Sequence, residues 1–168
     1  MVRRPLVVVS KANFHDPDNW KPGTVPADLT KPIRSEFERV YQDLRERGPD
    51  GEPLKRNWKL PGSGLAIVKT YRSTRQLFLV ETHVKGHKCL FSVNGTTITD
   101  LGGTQWFFID DKKSVRFLGN DWDLVDAGDY DGKGKSEVIF FFGEPFNGRE
   151  EYVLFYDDFR SNVTWAYP

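Results

Sequence analysis

Two periodicities divide the chain. Ile33, Phe37, Val40 and Leu44 fall at i, i+4, i+7 and i+11, which is one face of a helix. Thr30 reads as its N-cap, and Pro32 sits in the first turn, where a missing N–H does no harm. Arg39 and Asp43 are placed to pair on the wet side. Arg45 and Arg47 suit the C-terminal dipole, and Gly48-Pro49 stops a helix that the pattern sets over 31–47. From Gly64 onward the period becomes two. Leu65–Tyr71 and Gln76–Val84 read as strands joined by a short turn. Phe91–Val93 and Thr96–Ile98 flank Asn94-Gly95, a strong hairpin signal. Thr104–Ile109 and Ser114–Leu118 flank a second turn, Asp110 to Lys113. Val138–Phe142 and Glu151–Tyr156 are apolar on both faces and read as central strands, with Asn162–Tyr167 as an edge. Leu6–Val9 reads as a short first strand. Residues 13–32 read as an ordered surface loop pinned by the Trp20 ring, and 48–63 as a linker-like loop.

The pattern predicts a mainly β (α+β) fold: about nine strands in antiparallel sheet or sheets, because the connections are short, with one packed N-terminal helix. Sandwich-like and partial-propeller-like arrangements both fit it. A length of 168 residues is read as a single domain, 1–168. Within it, 1–63 carries the first strand, loops and helix, and 64–168 is a β-rich body with an acidic loop at 121–137.

Charge narrows the function. Lys plus Arg number 24 and Asp plus Glu 24, for a formal net charge of zero, so nothing favours a nucleic-acid partner. A single cysteine, Cys89, excludes a disulfide framework. No apolar run reaches membrane-spanning length, so no membrane insertion is expected. The opening Met-Val-Arg-Arg-Pro-Leu-Val-Val-Val-Ser10 is too short in its apolar part for a signal peptide. An exported protein with its signal already removed stays compatible with this start, and localisation is otherwise open.

The chemistry concentrates at Asp129-Tyr-Asp-Gly-Lys-Gly-Lys-Ser-Glu137, which runs into Val-Ile-Phe. Asp129, Asp131, Lys133, Lys135 and Glu137 alternate, and Gly134 holds the sixth place, the layout of a D-x-D-x-D-G calcium loop. The fifth place holds Lys133 where Asp or Asn is expected. The segment resembles one copy of the FG-GAP or VCBS repeat of integrin-like β-propeller proteins, over about residues 124–142. The run from Trp122-Asp-Leu-Val-Asp126 to Tyr152–Asp158 is similar to bacterial single-domain proteins that carry one such unit. A full propeller needs several blades, and one copy is visible. The resemblance implies calcium as the cofactor, held by Asp129, Asp131, Glu137 and the backbone carbonyl of Lys135. The alternative is a solvated turn stapled by salt bridges from Lys133.

Other constellations are thinner. His83, His87 and Cys89, with Glu81 nearby, share one parity and are zinc-type residues, but they lack a fourth ligand at typical spacing. Asp110-Asp111 and Asp157-Asp158 are carboxylate pairs in turns. Asn162-Val-Thr164 fits a glycosylation sequon, as does Asn94-Gly-Thr96, which its turn explains better. No nucleophile elbow, phosphate loop or dinucleotide fingerprint is present. Three readings follow. The first is a non-catalytic binding or assembly domain with a protein or glycan ligand. The second is a carbohydrate-binding module, suggested by five Trp, six Tyr and thirteen Phe. The third is a small hydrolase using paired carboxylates, which would need a cleft and a raised carboxyl pKa.

Overall fold

The computed structural model of the protein describes residues 15–86, 89–91, 98–143 and 150–167. The expected strand at Leu6–Val9, the Asn94-Gly95 turn and His87 lie outside them, as does the side chain of Cys89. The fold is mainly β, with antiparallel strand pairing and one short helix, as the periodicity predicts. Residues 15–21, 73–75 and 122–167 group into one compact unit, and 22–72 with 76–121 into another.

The second of these units carries the helix. Its elements are β1 (Lys21–Pro22), at the unit's start, a 3-10 turn at Ala27–Leu29 and α1 (Thr30–Val40). Then come β2 (Leu65–Arg72), β3 (Phe78–Val84), β4 (Cys89–Phe91), β5 (Ile98–Asp100), β6 (Thr104–Ile109) and β7 (Val115–Asn120). The sheet runs β1-β2-β3-β6-β7, and β4 pairs with β5 as a separate ribbon. Phe91 and Ile98, which the sequence assigns to the two arms of one hairpin, stand opposite each other in that ribbon. Ile33 and Phe37 on α1 are buried with Leu29, Tyr41 and Leu44 against Val80, Val84, Phe107 and Ile109. Val40 is only partly buried.

The helix is shorter than its apolar stripe. It ends at Val40, and Tyr41 leaves helical geometry with φ −106° and ψ 19°. Beyond it the backbone finds partners across a loop instead of along a helix. Trp58 N–H donates to the Leu44 carbonyl, Leu54 N–H donates to Glu46, and Arg47 bridges Pro53. Leu44 still reaches the core, which is why its spacing looked helical. Thr30 is the first helical residue and not the cap. Leu29 holds the cap position without a side-chain hydrogen bond, because the 3-10 turn leads directly into α1. Arg39 pairs with Glu36 at 2.7 Å, since Asp43 lies past the helix end.

The first unit is a four-stranded sheet in the order β11-β10-β9-β8. Its strands are β8 (Trp122–Gly128), β9 (Glu137–Gly143), β10 (Glu150–Tyr156) and β11 (Ser161–Tyr167). The central places of β9 and β10 and the edge place of β11 match the sequence reading. β8 does not, because the pattern assigned residues 121–128 to the acidic loop. In the strand, Asp123 and Asp126 are the exposed members of an alternation, with Trp122 and Leu124 half-buried. A bulge between Leu124 and Asp126 adds a residue and breaks the period that would have revealed it. The Trp122 ring lies 5.6 Å from Phe140 and 5.9 Å from Phe155. Phe155 stacks on Phe159 at 5.6 Å, and Phe159 meets the Trp20 ring edge-on at 6.3 Å. Trp20 is half-buried by that contact and ties residues 15–20 to the sheet, in its expected role.

Candidate cation loop

The loop between β8 and β9 begins where the register closes, with Gly128 opposite Glu137. Eight residues must reverse the chain there, and two glycines take the left-handed turns: Gly132 at φ 75° and Gly134 at φ 77°. These turns bring backbone N–H groups onto the acids. Gly134 N–H donates to Asp129 Oδ2 at 3.0 Å, and Lys133 N–H donates to Asp131 Oδ1 at 3.0 Å. Tyr130 N–H donates to Glu137 Oε2 at 2.6 Å, and the Tyr130 hydroxyl donates to Asp126 Oδ2 at 2.9 Å.

The result is a compact carboxylate cluster. Asp129, Asp131 and Glu137 each offer an oxygen, all within 4.8 Å of one another. Among the described residues this is the one group of three or more His, Cys, Asp or Glu so placed. The three differ in environment: Glu137 is buried, Asp129 half-buried and Asp131 exposed. Burial pushes the Glu137 carboxyl above its ordinary range, and the nearby Asp131 and Asp129 charges add to this against the Tyr130 N–H. Asp131 is held low, first by its hydrogen bond from Lys133. Asp129 Oδ1 is buried and has no hydrogen-bond partner among the described residues.

The two lysines behave differently. Lys133 Nζ lies 2.7 Å from Asp131 Oδ2, but its side chain is 77% exposed. The ammonium therefore sits on the rim and not among the three carboxylates. Lys135 sends its ammonium to Asp158 Oδ2 at 2.6 Å, which leaves its carbonyl as the atom available to the loop.

Sequence reasoning missed the charged network beside the loop. Asp18, only 3% exposed, accepts two bonds from the Arg75 fork, at 2.6 and 2.7 Å. Its Oδ2 also accepts the Ser136 N–H at 3.2 Å, and its own N–H donates to Ser136 Oγ at 3.1 Å. Asp16 bonds the same hydroxyl. Asp129 N–H donates to the His15 carbonyl at 2.9 Å. Asp18 and Ser136 are 118 positions apart in sequence, and Asp18 and Arg75 are 57 apart, so no local pattern could announce them.

The remaining candidates are placed elsewhere. His83 Nε2 bonds the Gly102 carbonyl, and Glu81 pairs with Lys69 at 2.9 Å. Asp110 Oδ1 accepts the N–H groups of Lys112 and Ser114, the ordinary work of an Asp in a turn. Asp157 is an exposed turn residue, whereas Asp158 is held by Arg75 and Lys135. Against the burial that would raise it, those two cations keep the Asp158 carboxyl low, which is opposite to the shift of a general acid. Two adjoining surface clefts of about 520 and 450 Å³ share Asn57, Trp58 and Lys59. Among the described residues, Tyr156 is the one aromatic side chain with the exposure of a free surface ring.

No protein-family model matches the chain, and searches of curated proteins and of solved structures returned no match.

Proposed function

We propose that the protein is a non-catalytic binding or assembly domain whose β8–β9 loop takes a calcium-type divalent cation. The observation that carries this reading is the buried Asp129 Oδ1, without a hydrogen-bond partner among the described residues, beside Asp131 and Glu137. A buried carboxylate oxygen without a donor is costly, and a cation removes that cost. The donor set is all oxygen, which suits a hard cation. Asp129, Asp131 and Glu137 would hold it, with the Lys135 carbonyl and water completing the shell. Three carboxylates and the Lys133 ammonium leave two negative charges, the complement of a divalent ion. Lys133 acts here as a brake. It competes for Asp131 from an exposed position, where ion pairs are weak and easily exchanged. The resemblance to an integrin-type repeat supports the same loop chemistry. Bound cation supplies positive charge and rigidity to a surface hairpin, and a protein or glycan partner then meets an ordered loop.

Isothermal calorimetry with calcium tests this on the parent and on Lys133→Asp. Weak binding by the parent is expected, strengthened by about tenfold or more in the variant as ligand charge rises. Absence of binding by both proteins would reduce the loop to a turn. A saccharide-binding reading draws on the clefts beside Trp58. It is the weaker one, because the described aromatic side chains other than Tyr156 are buried or half-buried and form no exposed row.

A further inference from the structure

We infer that Arg75 and Asp158 are positioning residues that pre-set the 129–137 loop for its cation, an inference that rests on the cation reading above. The geometry is a closed ring of contacts. Lys135 Nζ meets Asp158 Oδ2 at 2.6 Å, and Arg75 Nη1 meets Asp158 Oδ1 at 2.8 Å. Arg75 then grips Asp18 through Nε and Nη2, and Asp18 Oδ2 takes the Ser136 N–H. Ser136 is covalently next to Lys135, so the ring closes on the two residues immediately before Glu137. Those two residues decide where the Glu137 carboxylate and the Lys135 carbonyl lie.

Two features mark the ring as a positioning device. It holds two acids and two bases, so it fixes the loop without changing the charge of the three-carboxylate cluster. It also takes up the Lys135 ammonium, which would otherwise stand beside the cation. The turn that presents Asp158 is itself unusual, with Asp157, Asp158 and Phe159 in succession at φ 51°, 52° and 62°. Left-handed geometry is unfavourable for such residues and persists only where the surroundings over-determine it. Here the Asp158 ion pairs and the burial of Phe159 do so. The segment 15–18 secures the other end, since the His15 carbonyl holds Asp129 N–H. A loop held this way loses little conformational freedom when an ion enters, which is how preorganisation raises affinity.

Amide exchange and calcium titration on Arg75→Met, Arg75→Lys and the parent test the inference. In Arg75→Met the amides of Tyr130, Asp131 and Gly134 should exchange about tenfold faster without metal, while those of Val138 and Val153 stay as in the parent. Calcium affinity should fall by about tenfold. Arg75→Lys should recover part of both effects, because an ammonium keeps one ion pair but cannot reproduce the fork. Asp158→Asn, a milder isostere at a partly exposed site, should move the same amides even if Arg75→Met does not fold. Parent-like loop exchange in Asp158→Asn and in a folded Arg75→Met would overturn the positioning role. A parent that ignores calcium while its variants show faster loop exchange would instead overturn the cation reading and leave the ring as a structural clamp.

Discussion

Replacing Phe37 by Ala probes the packing that anchors the helix. Phe37 has 0% exposure and sits at the centre of the α1 contact. Its ring lies 4.7 Å from Tyr41 and 6.4 Å from Trp58. Truncation removes the transfer free energy of the ring and leaves a cavity, which together cost about 3–5 kcal/mol for a buried Phe. The aromatic pairs are worth roughly 0.5–1.5 kcal/mol beyond area, so the upper part of that range is expected. The helix offers little relief, because Ile33 and Leu29 beside the gap are themselves fully packed. For a chain of this size each kcal/mol moves the melting temperature by roughly 2–4 °C, so a drop of about 6–20 °C follows. Urea denaturation followed by far-ultraviolet circular dichroism measures the free-energy loss and a thermal melt measures the temperature shift, with Val68→Ala as control. Val68 is 52% exposed and should change stability by less than about 0.5 kcal/mol. A Phe37→Ala protein within 1 kcal/mol of the parent, on a scale of about 0.5, would refute the core assignment of α1.

Other perturbations address the loop. Gly134 has φ 77° and open space where a Cβ would stand, so Gly134→Ala should cost about 1–2 kcal/mol of backbone strain alone, read as a lower urea midpoint at unchanged slope. Glu137 has a folded pKa raised above its ordinary 4.5 by burial and by Asp131 and Asp129. Its ionisation therefore opposes folding: the stability linked to its protonated form is present below pH 4.5 and is lost as pH rises through the elevated folded value. In metal-free protein Glu137→Gln should flatten that decline in stability–pH curves, and a decline as steep as in the parent would contradict the assignment.

Much of the fold was legible because periodicity reports burial. The sequence pattern gives β6 its observed bounds, and β9 and β10 read as central because Val138, Ile139, Phe140 and Val153 are buried in them. The misreadings have physical causes. Leu44 keeps helical spacing but reaches the core from a loop, so periodicity overstated α1. β8 carries acids on its wet face and a bulge in its middle, so composition imitated a loop. For the site, the alternation of Asp129, Asp131 and Glu137 pointed to three carboxylates that the hairpin brings together. The Asp18–Arg75–Asp158 ring stayed hidden because charged residues in turns look alike in sequence, whether they face water or close a network.

A calcium titration of the parent followed by amide NMR shifts tests the central claim most directly. The account predicts saturable, weak binding, with the largest shifts at Tyr130, Asp131, Gly134 and Glu137. Residues around Trp58 should stay unmoved. No saturable shift at the loop, or shifts centred elsewhere, would contradict it.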